Sequence, residues 1–192
     1  MQEIIAQQIQ DSIETKQKLS TVENEILKAS YLASDTLEHG GKMLLCGNGG
    51  SAADAQHIAA ELLVRYKGGN ERSALPAIPL AFDPSAMTAC GNDYGFDKIY
   101  SRAIEGLGNK GDLLLGISTS GNSQNILEAV KIARKKEMRI VLFLGADGGK
   151  LKNLGDVDII VPSQVTARIQ ECHILIGHIM CAIIEKKMFN LD

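Results

Sequence analysis

After residue 41, two hydrophobic patterns alternate along the chain. Short continuous apolar runs, such as residues 113–117, alternate with longer segments in which apolar residues recur every three or four positions. Continuous runs are typical of strands that are buried on both faces of a parallel sheet, and the longer pattern is typical of amphipathic helices. The alternation predicts an α/β fold with a doubly wound, five-stranded parallel sheet flanked by helices. The predicted strands are residues 42–46, 77–81, 112–117, 139–144 and 158–161, and the predicted helices after residue 50 are 51–66, 85–91, 96–107, 124–136 and 166–188.

The first 39 residues carry a helical pattern of their own. Apolar residues such as Ile5, Ile9 and Ile13 recur at helical spacing, and Gly40 and Gly41 end the pattern. A long helix that is polar on one face cannot bury its apolar stripe alone. We therefore expect it to pack on the rest of the chain or on another subunit. The sequence contains neither a linker nor a low-complexity tract, so residues 1–192 are predicted to form a single domain.

Composition narrows the class of protein. The net charge is −3, 45% of residues are hydrophobic and 22% are charged, which is the profile of a globular protein. No predicted helix carries a basic stripe, which argues against nucleic acid as a partner. The acidic, amphipathic N-terminus does not resemble a signal peptide, and the apolar stretch 174–184 is too short to cross a bilayer. We therefore expect a cytoplasmic protein that has no membrane partner.

The four cysteines do not have the spacing of a metal finger. Cys46, Cys90, Cys172 and Cys181 are scattered along the chain without a CxxC pair. In a protein without an export signal, such residues are expected to be reduced thiols, most of them buried.

The most informative segment is CGNGGSAADAQHIAAE, residues 46–61. Its glycines allow a tight turn with exposed N–H groups after the first strand, and a helix then begins near Ser51. The partial positive charge of a helix N-terminus suits an anion or a sugar hydroxyl. His57 and Glu61 are four residues apart and share one face of that helix. They are candidates for an acid/base or metal-binding pair, with a core histidine or a surface ion pair as the alternative.

A second loop has the same layout. The apolar run 112–117 leads into STSGNS, residues 118–123, and then into a helical pattern. Four hydroxyl side chains in six residues place many donors at a helix N-terminus. One such loop would be an ordinary helix cap. Two of them, each between a buried strand and a helix, favour a ligand crevice at the carboxyl ends of the strands.

Several separated motifs resemble the sugar isomerase (SIS) domain family, and within it the phosphoheptose isomerases. They are CGNGGSAADAQHIAAEL, CGNDYGF, GDLLLGISTSGNS, DGGKL and ARIQECHILIGH, in that order over nearly the whole chain. The resemblance implies an isomerase that interconverts sedoheptulose 7-phosphate and a glycero-manno-heptose 7-phosphate, the first committed step towards nucleotide-activated heptose for lipopolysaccharide. It also implies a homotetramer with sites at subunit contacts, and zinc as a cofactor, one ion per subunit.

The resemblance assigns roles to individual residues. Isomerisation through an enediol needs a base at carbon and an acid at oxygen, for which Glu61 and His178 are the candidates. The implied zinc ligands are His57, Glu61, Gln170 and His178. Substrate is expected to contact Asn48, Gly49, Gly50, Ser51, Glu61, Arg65, Asn92, Asp93, Ser118, Thr119, Ser120, Ser123 and Gln170, with phosphate in the serine-rich turn.

Some alternatives remain open at this point. Arg65 lies four residues after Glu61 on the same face of the predicted helix and is interpreted as an ion-pair partner, a subunit contact or a substrate clamp. The chain also resembles a non-enzymatic SIS protein that associates with a replication initiator, but that relative lacks the helix carboxylate and the late histidine. A sugar-phosphate sensor would add a DNA-binding domain, and an arabinose 5-phosphate isomerase would add regulatory domains. The isomerase is therefore preferred.

Overall fold

The structure is a computed structural model and describes residues Met1 to Leu191. Its centre is a five-stranded parallel sheet with the strand order β2-β1-β3-β4-β5. The strands are β1 (Met43–Gly47), β2 (Ala77–Pro79), β3 (Leu113–Ser118), β4 (Arg139–Leu144) and β5 (Val157–Ile160). All five strands predicted from continuous apolar runs are confirmed, and β2 is two residues shorter than expected. Strands β1 and β3 are completely buried, as expected for strands covered on both faces.

The described residues contain seven α-helices. They are α1 (Gln2–Gln17), α2 (Glu23–Glu38), α3 (Gly50–Leu63), α4 (Pro84–Asp93), α5 (Ile99–Leu107), α6 (Gln124–Lys135) and α7 (Thr166–Phe189). Apolar side chains of α2, α3 and α7 form one core with one face of the sheet. Side chains of α5 and α6 form a second core with the other face. The doubly wound sandwich predicted from the sequence is therefore confirmed.

The N-terminal helical segment has a break. A 3₁₀ turn over Lys18–Val22 separates α1 from α2. Helix α1 is fastened to α7, since Arg168 Nη1 donates to the Gln8 carbonyl at 2.7 Å and Ser12 Oγ donates to Glu171 at 2.7 Å. Its apolar stripe nevertheless faces solvent in a single chain, and the exposed side chains are Ile4, Ile5, Ile9 and Ile13.

Helix α7 is long and apolar enough to span a membrane by length and composition. Half of the most apolar 18-residue stretch of this helix is buried in the fold, and its residues Ile176, Met180 and Ile184 belong to the core. This helix extends well beyond the apolar stretch 174–184, so length alone does not exclude a membrane span. Its packing is that of a core helix.

The cysteine prediction is confirmed. Cys46, Cys90, Cys172 and Cys181 are all free thiols and all buried. Burial raises the pKa of the Cys181 thiol to about 12, which keeps it in the unreactive protonated form.

Candidate active site

Two loops emerge side by side at the carboxyl ends of β1 and β3. These strands are neighbours in register, with Cys46 opposite Gly116. The loops are joined by two reciprocal hydrogen bonds. Asn48 Nδ2 donates to Asn125 Oδ1 at 2.9 Å, and Asn125 Nδ2 donates to Asn48 Oδ1 at 2.8 Å. The first loop and the start of the helix that follows the second are therefore held together at this edge of the sheet, and a ligand crevice there stays a prediction.

The glycine-rich loop after β1 depends on backbone positions that disfavour a side chain. Gly49 has φ of +57°, a region that residues other than glycine adopt only at a cost. A Cβ on Gly50 would collide with the amide of Gln170, which lies against the loop from α7. Ser51 is buried at the start of α3. Gln170 thus lies against the glycine-rich loop, which is predicted from the sequence to bind an anion or a sugar hydroxyl.

The serine-rich loop after β3 is held by its own hydroxyl groups. Ser118 Oγ and Ser123 Oγ are 2.9 Å apart, and Ser120 Oγ accepts from the Asn122 N–H at 3.2 Å. Ser120 is exposed and Thr119 half-buried. Ser123 is the N-cap residue of α6, and no side chain caps the N–H groups at that helix end. The loop therefore presents hydroxyl donors beside free helix N–H groups, which is a suitable cradle for phosphate.

Three side chains from α3 and α7 converge at one point. His57 Nε2 lies 3.2 Å from Glu61 Oε1 and 3.4 Å from His178 Nε2. One donor atom from each of the three residues lies within 4.8 Å of the others. Glu61 is 22% exposed and His57 is 49% exposed, so the group is accessible from solvent. The predicted convergence of Glu61 with His178 is therefore present within one chain.

The donor set of this cluster is suited to a metal ion. A neutral His57 Nε2 carries at most one hydrogen, so it cannot form two ideal hydrogen bonds at 3.2 and 3.4 Å. Tetrahedral zinc with bonds of about 2.0 Å separates its ligand atoms by about 3.3 Å. The two observed separations therefore fit such an ion. Imidazole and carboxylate are also common zinc ligands.

Other predicted site residues lie apart from the cluster. Helix α3 ends at Leu63, so the sequence argument that put Arg65 on the same helical face as Glu61 is wrong. Arg65 Nη1 instead donates to Glu71 at 2.7 Å on the surface. Asn92 and Asp93 are exposed, and they form the end of α4 rather than a turn after it. A role for these three residues in binding substrate stays a prediction.

The sequence analysis missed two residues close to the cluster. Asp54 lies one turn before His57, and its Oδ2 atom is buried without a hydrogen-bond partner among the described residues. Burial raises the pKa of Asp54 to about 6, while the charge of His57 lowers it in part. The Tyr66 ring lies 5.6 Å from the His178 ring, measured between centroids. The spacing of Asp54 from His57 could have identified the first residue, but Tyr66 meets His178 only through the tertiary fold.

Comparisons with known proteins place the chain in one family. A model of the SIS domain family matches residues 6–145. A phosphoheptose isomerase of Leptospira biflexa is 53% identical over 190 residues, which cover 98% of this chain and 97% of that protein. The structure of a phosphoheptose isomerase from Neisseria gonorrhoeae is similar with a TM-score of 0.89 at 45% identity, covering 96% of this chain and 98% of the other. That of a phosphoheptose isomerase from Francisella tularensis gives a TM-score of 0.92 at 41% identity, covering 96% and 97%.

Proposed function

The chain belongs to the SIS domain family and is an aldose–ketose isomerase of sedoheptulose 7-phosphate, and we propose that Glu61 and His178 carry out its chemistry. The product is D-glycero-D-manno-heptose 7-phosphate, and the reaction is placed at the first step of nucleotide-activated heptose synthesis for lipopolysaccharide. The observation that carries this assignment is the convergence of Glu61, His57 and His178 from α3 and α7, the first of which begins at the glycine-rich loop.

The reaction moves one proton between C1 and C2 and another between the two oxygens. Glu61 takes a proton from C1 as the base while His178 donates a proton to the C2 carbonyl oxygen, which forms the enediol. Glu61 then returns the proton to C2 as His178 takes the proton of the C1 hydroxyl, and this gives the aldose. His178 also assists ring opening. His57 lies between them, 3.2 Å from Glu61 and 3.4 Å from His178, and holds both at the reactive end of the sugar.

The far end of the substrate is assigned to the serine-rich loop. Ser118, Thr119, Ser120 and Ser123 surround the open N-terminus of α6, where the helix dipole stabilises a dianion. The glycine-rich loop, with Asn48 and Ser51, holds sugar hydroxyls together with Gln170. The two loops are bridged by Asn48 and Asn125, which fixes the distance between the phosphate and the reactive carbons. Arg65, Asn92 and Asp93 are proposed as further substrate contacts.

One zinc ion per subunit is proposed at the cluster. His57, Glu61 and His178 would hold it, with Gln170 as the fourth ligand. The acid/base roles above apply to Glu61 and His178 when they are free of metal; zinc, when bound, would instead supply a Lewis acid that polarises the carbonyl oxygen. Because Gln170 lies against Gly50 in this structure, its amide would have to turn away from the loop to become a ligand.

A homotetramer is proposed for the assembly. The isoleucine stripe on α1 remains exposed in the single chain, and exposed apolar residues in such a stripe are typical of a contact between subunits. The cytoplasm is the proposed location, and residues 1–192 are treated as one SIS domain. The non-enzymatic alternative, an SIS protein that binds a replication initiator or senses a sugar phosphate, is not favoured. A protein of that kind has no need for a carboxylate and two imidazoles at one point.

An assay of the purified protein with sedoheptulose 7-phosphate tests the assignment. We expect conversion to the aldose phosphate. Solvent protons should exchange into the C1 and C2 positions during the reaction, and this exchange can be measured. Assays after treatment with a chelator, and after addition of Zn²⁺, test the metal separately. Binding of the sugar phosphate without turnover, in the presence and absence of Zn²⁺, would favour the sensing alternative.

A further inference from the structure

A buried ion pair lies behind the proposed active site. Arg72, in the segment between α3 and β2, donates from Nε to Glu185 Oε1 on α7 at 2.7 Å. The Arg72 side chain is 0% exposed and that of Glu185 is 2% exposed. The guanidinium also lies over the ring of Phe189, 5.8 Å from its centroid. A pair buried to this degree is weak support for stability, because desolvation of both charges offsets their attraction. Its location therefore needs another explanation.

Arg72 binds the end of the helix that carries Glu61. Its Nη2 donates to the backbone carbonyl of Glu61 at 2.7 Å, and its Nη1 donates to the carbonyl of Leu62 at 2.9 Å. These carbonyls belong to the last turn of α3, where they have no partner within the helix. The planar guanidinium reaches both carbonyls and Glu185 at once, which an ammonium group cannot do. The backbone of Glu61 is thus attached directly to α7.

Glu185 positions the surroundings of His178 in the same way. It lies seven residues after His178, two turns along the same face of α7. Its Oε1 accepts the backbone N–H of Tyr66 at 3.0 Å, and its Oε2 accepts from Asn70 Nδ2 at 3.2 Å. These contacts hold the segment after α3 against α7, so that the Tyr66 ring rests beside His178.

We propose that Arg72 and Glu185 are a positioning pair for the isomerase site. The pair connects the backbone of Glu61 to the helix of His178, and through Tyr66 it limits the movement of the His178 ring. It touches neither substrate nor reacting atoms and acts by setting the separation of the two proposed catalytic side chains. The inference rests on the proposed function for its meaning, but the geometry of the cluster is measurable without turnover.

Two variants separate positioning from simple support of the fold. Arg72→Lys keeps the charge opposite Glu185 but loses the fork that binds both α3 carbonyls. The double variant Arg72→Met with Glu185→Leu replaces the pair by apolar side chains, which often preserves stability at a buried site. The matched control is Lys187→Met with Glu38→Gln, which removes an ion pair that joins α7 to α2 instead. Melting temperature and circular dichroism establish which variants are folded.

Each folded variant is assayed with sedoheptulose 7-phosphate and titrated with Zn²⁺ in the presence of a competing chelator. A misplacement of about 1 Å reduces catalysis about 100-fold, and loss of supporting contacts weakens metal sites about 10- to 100-fold. We expect kcat to fall about 10- to 100-fold in both test variants, with KM changed less than about threefold. The Kd for Zn²⁺ should rise about 10- to 100-fold, and the control should match the wild type.

The outcomes distinguish this inference from the proposed function. Folded test variants with wild-type kcat and wild-type Zn²⁺ affinity overturn the positioning role. If the wild type does not isomerise the sugar, the proposed function fails, and the Zn²⁺ titration alone decides about the pair. A wild type that neither isomerises the sugar nor binds Zn²⁺ overturns both, because no functional cluster is left to position.

Discussion

The loops after β1 and β3 share a strand–turn–helix layout but are held in different ways. The glycine-rich loop leaves open space at Gly49 and is covered at Gly50 by Gln170 from α7. The serine-rich loop is packed tightly, because Gly121 faces the backbone of Gly148 and its hydroxyls bind one another. The first loop leads into the helix of His57 and Glu61, and the second into a helix with an open N-terminus. Similar sequence layouts are therefore held together differently, and in the proposed function they serve the reactive end and the phosphate end of one substrate.

The largest expected effect concerns the reactive end. Glu61→Gln removes the charge and the proton acceptor with little change of shape, so kcat should fall about 10³-fold or more. Binding of sedoheptulose 7-phosphate, measured by calorimetry, should remain within about threefold because the phosphate loop is intact. His178→Gln should reduce kcat about 10²- to 10⁴-fold. A Glu61→Gln protein that unfolds or loses binding together with turnover would mark Glu61 as structural instead.

A pair of glycine substitutions tests the different packing of the two loops. In Gly121→Ala the new methyl group meets the Gly148 backbone at φ of +64°, so unfolding free energy should fall by about 3 kcal/mol or more. Gly49 has φ of +57° and ψ of −121°, which glycine adopts readily and alanine does not, but the space around it is open, so Gly49→Ala should cost about 2 kcal/mol from backbone strain alone. Chemical denaturation measures both values. Equal losses would contradict the difference in packing described here.

Acid should destabilise the fold through His173, a buried residue of α7. Burial lowers the pKa of His173 to about 4, although its bond to the Leu144 carbonyl opposes this shift. Between pH 6.5 and 4 the unfolded chain therefore binds a proton that the folded chain does not, and stability falls as pH falls. The loss should be about 2 kcal/mol between pH 6.5 and 5.

His173→Gln is the control for this pH dependence, because its amide still donates to Leu144 while the titration is lost. Asp54 acts in the opposite sense between pH 3.8 and 6, since its pKa is raised. The unfolding free energy of each protein is measured by urea denaturation and plotted against pH, and the difference between the wild-type and His173→Gln slopes gives the contribution of the histidine. Equal slopes over this pH range would show that His173 does not stay neutral in the fold.

The smallest expected effect belongs to the phosphate end. Ser120 is exposed and its hydroxyl accepts only the nearby Asn122 N–H in the described structure, so Ser120→Ala should leave stability nearly unchanged. Loss of one hydroxyl donor to phosphate should raise KM about 10-fold, or about 1.4 kcal/mol, without lowering kcat. A matched drop in kcat with unchanged KM would place Ser120 at the reactive end of the sugar.

The sequence predicted the sheet well because each buried strand is a continuous apolar run, as in residues 113–117. It predicted the His57–Glu61 pair because spacing of four residues brings side chains together on any helix. The end of α3 was placed three residues too late, since Arg72 binds its last carbonyls from outside the helix. The meeting of His178 with His57 joins residues 121 positions apart, and only resemblance to a family indicated it.

The bridge between Asn48 and Asn125 has a consequence for how ligands enter and leave. It occupies one N–H and one lone pair of the Asn48 amide, so a second N–H and a second lone pair remain for a ligand. A water molecule and the sugar hydroxyl proposed to bind at Asn48 can therefore replace one another while both hydrogen bonds to Asn125 stay formed. Ligand exchange at this point needs no separation of Asn48 from Asn125, and crystals grown without sugar are suited to soaking.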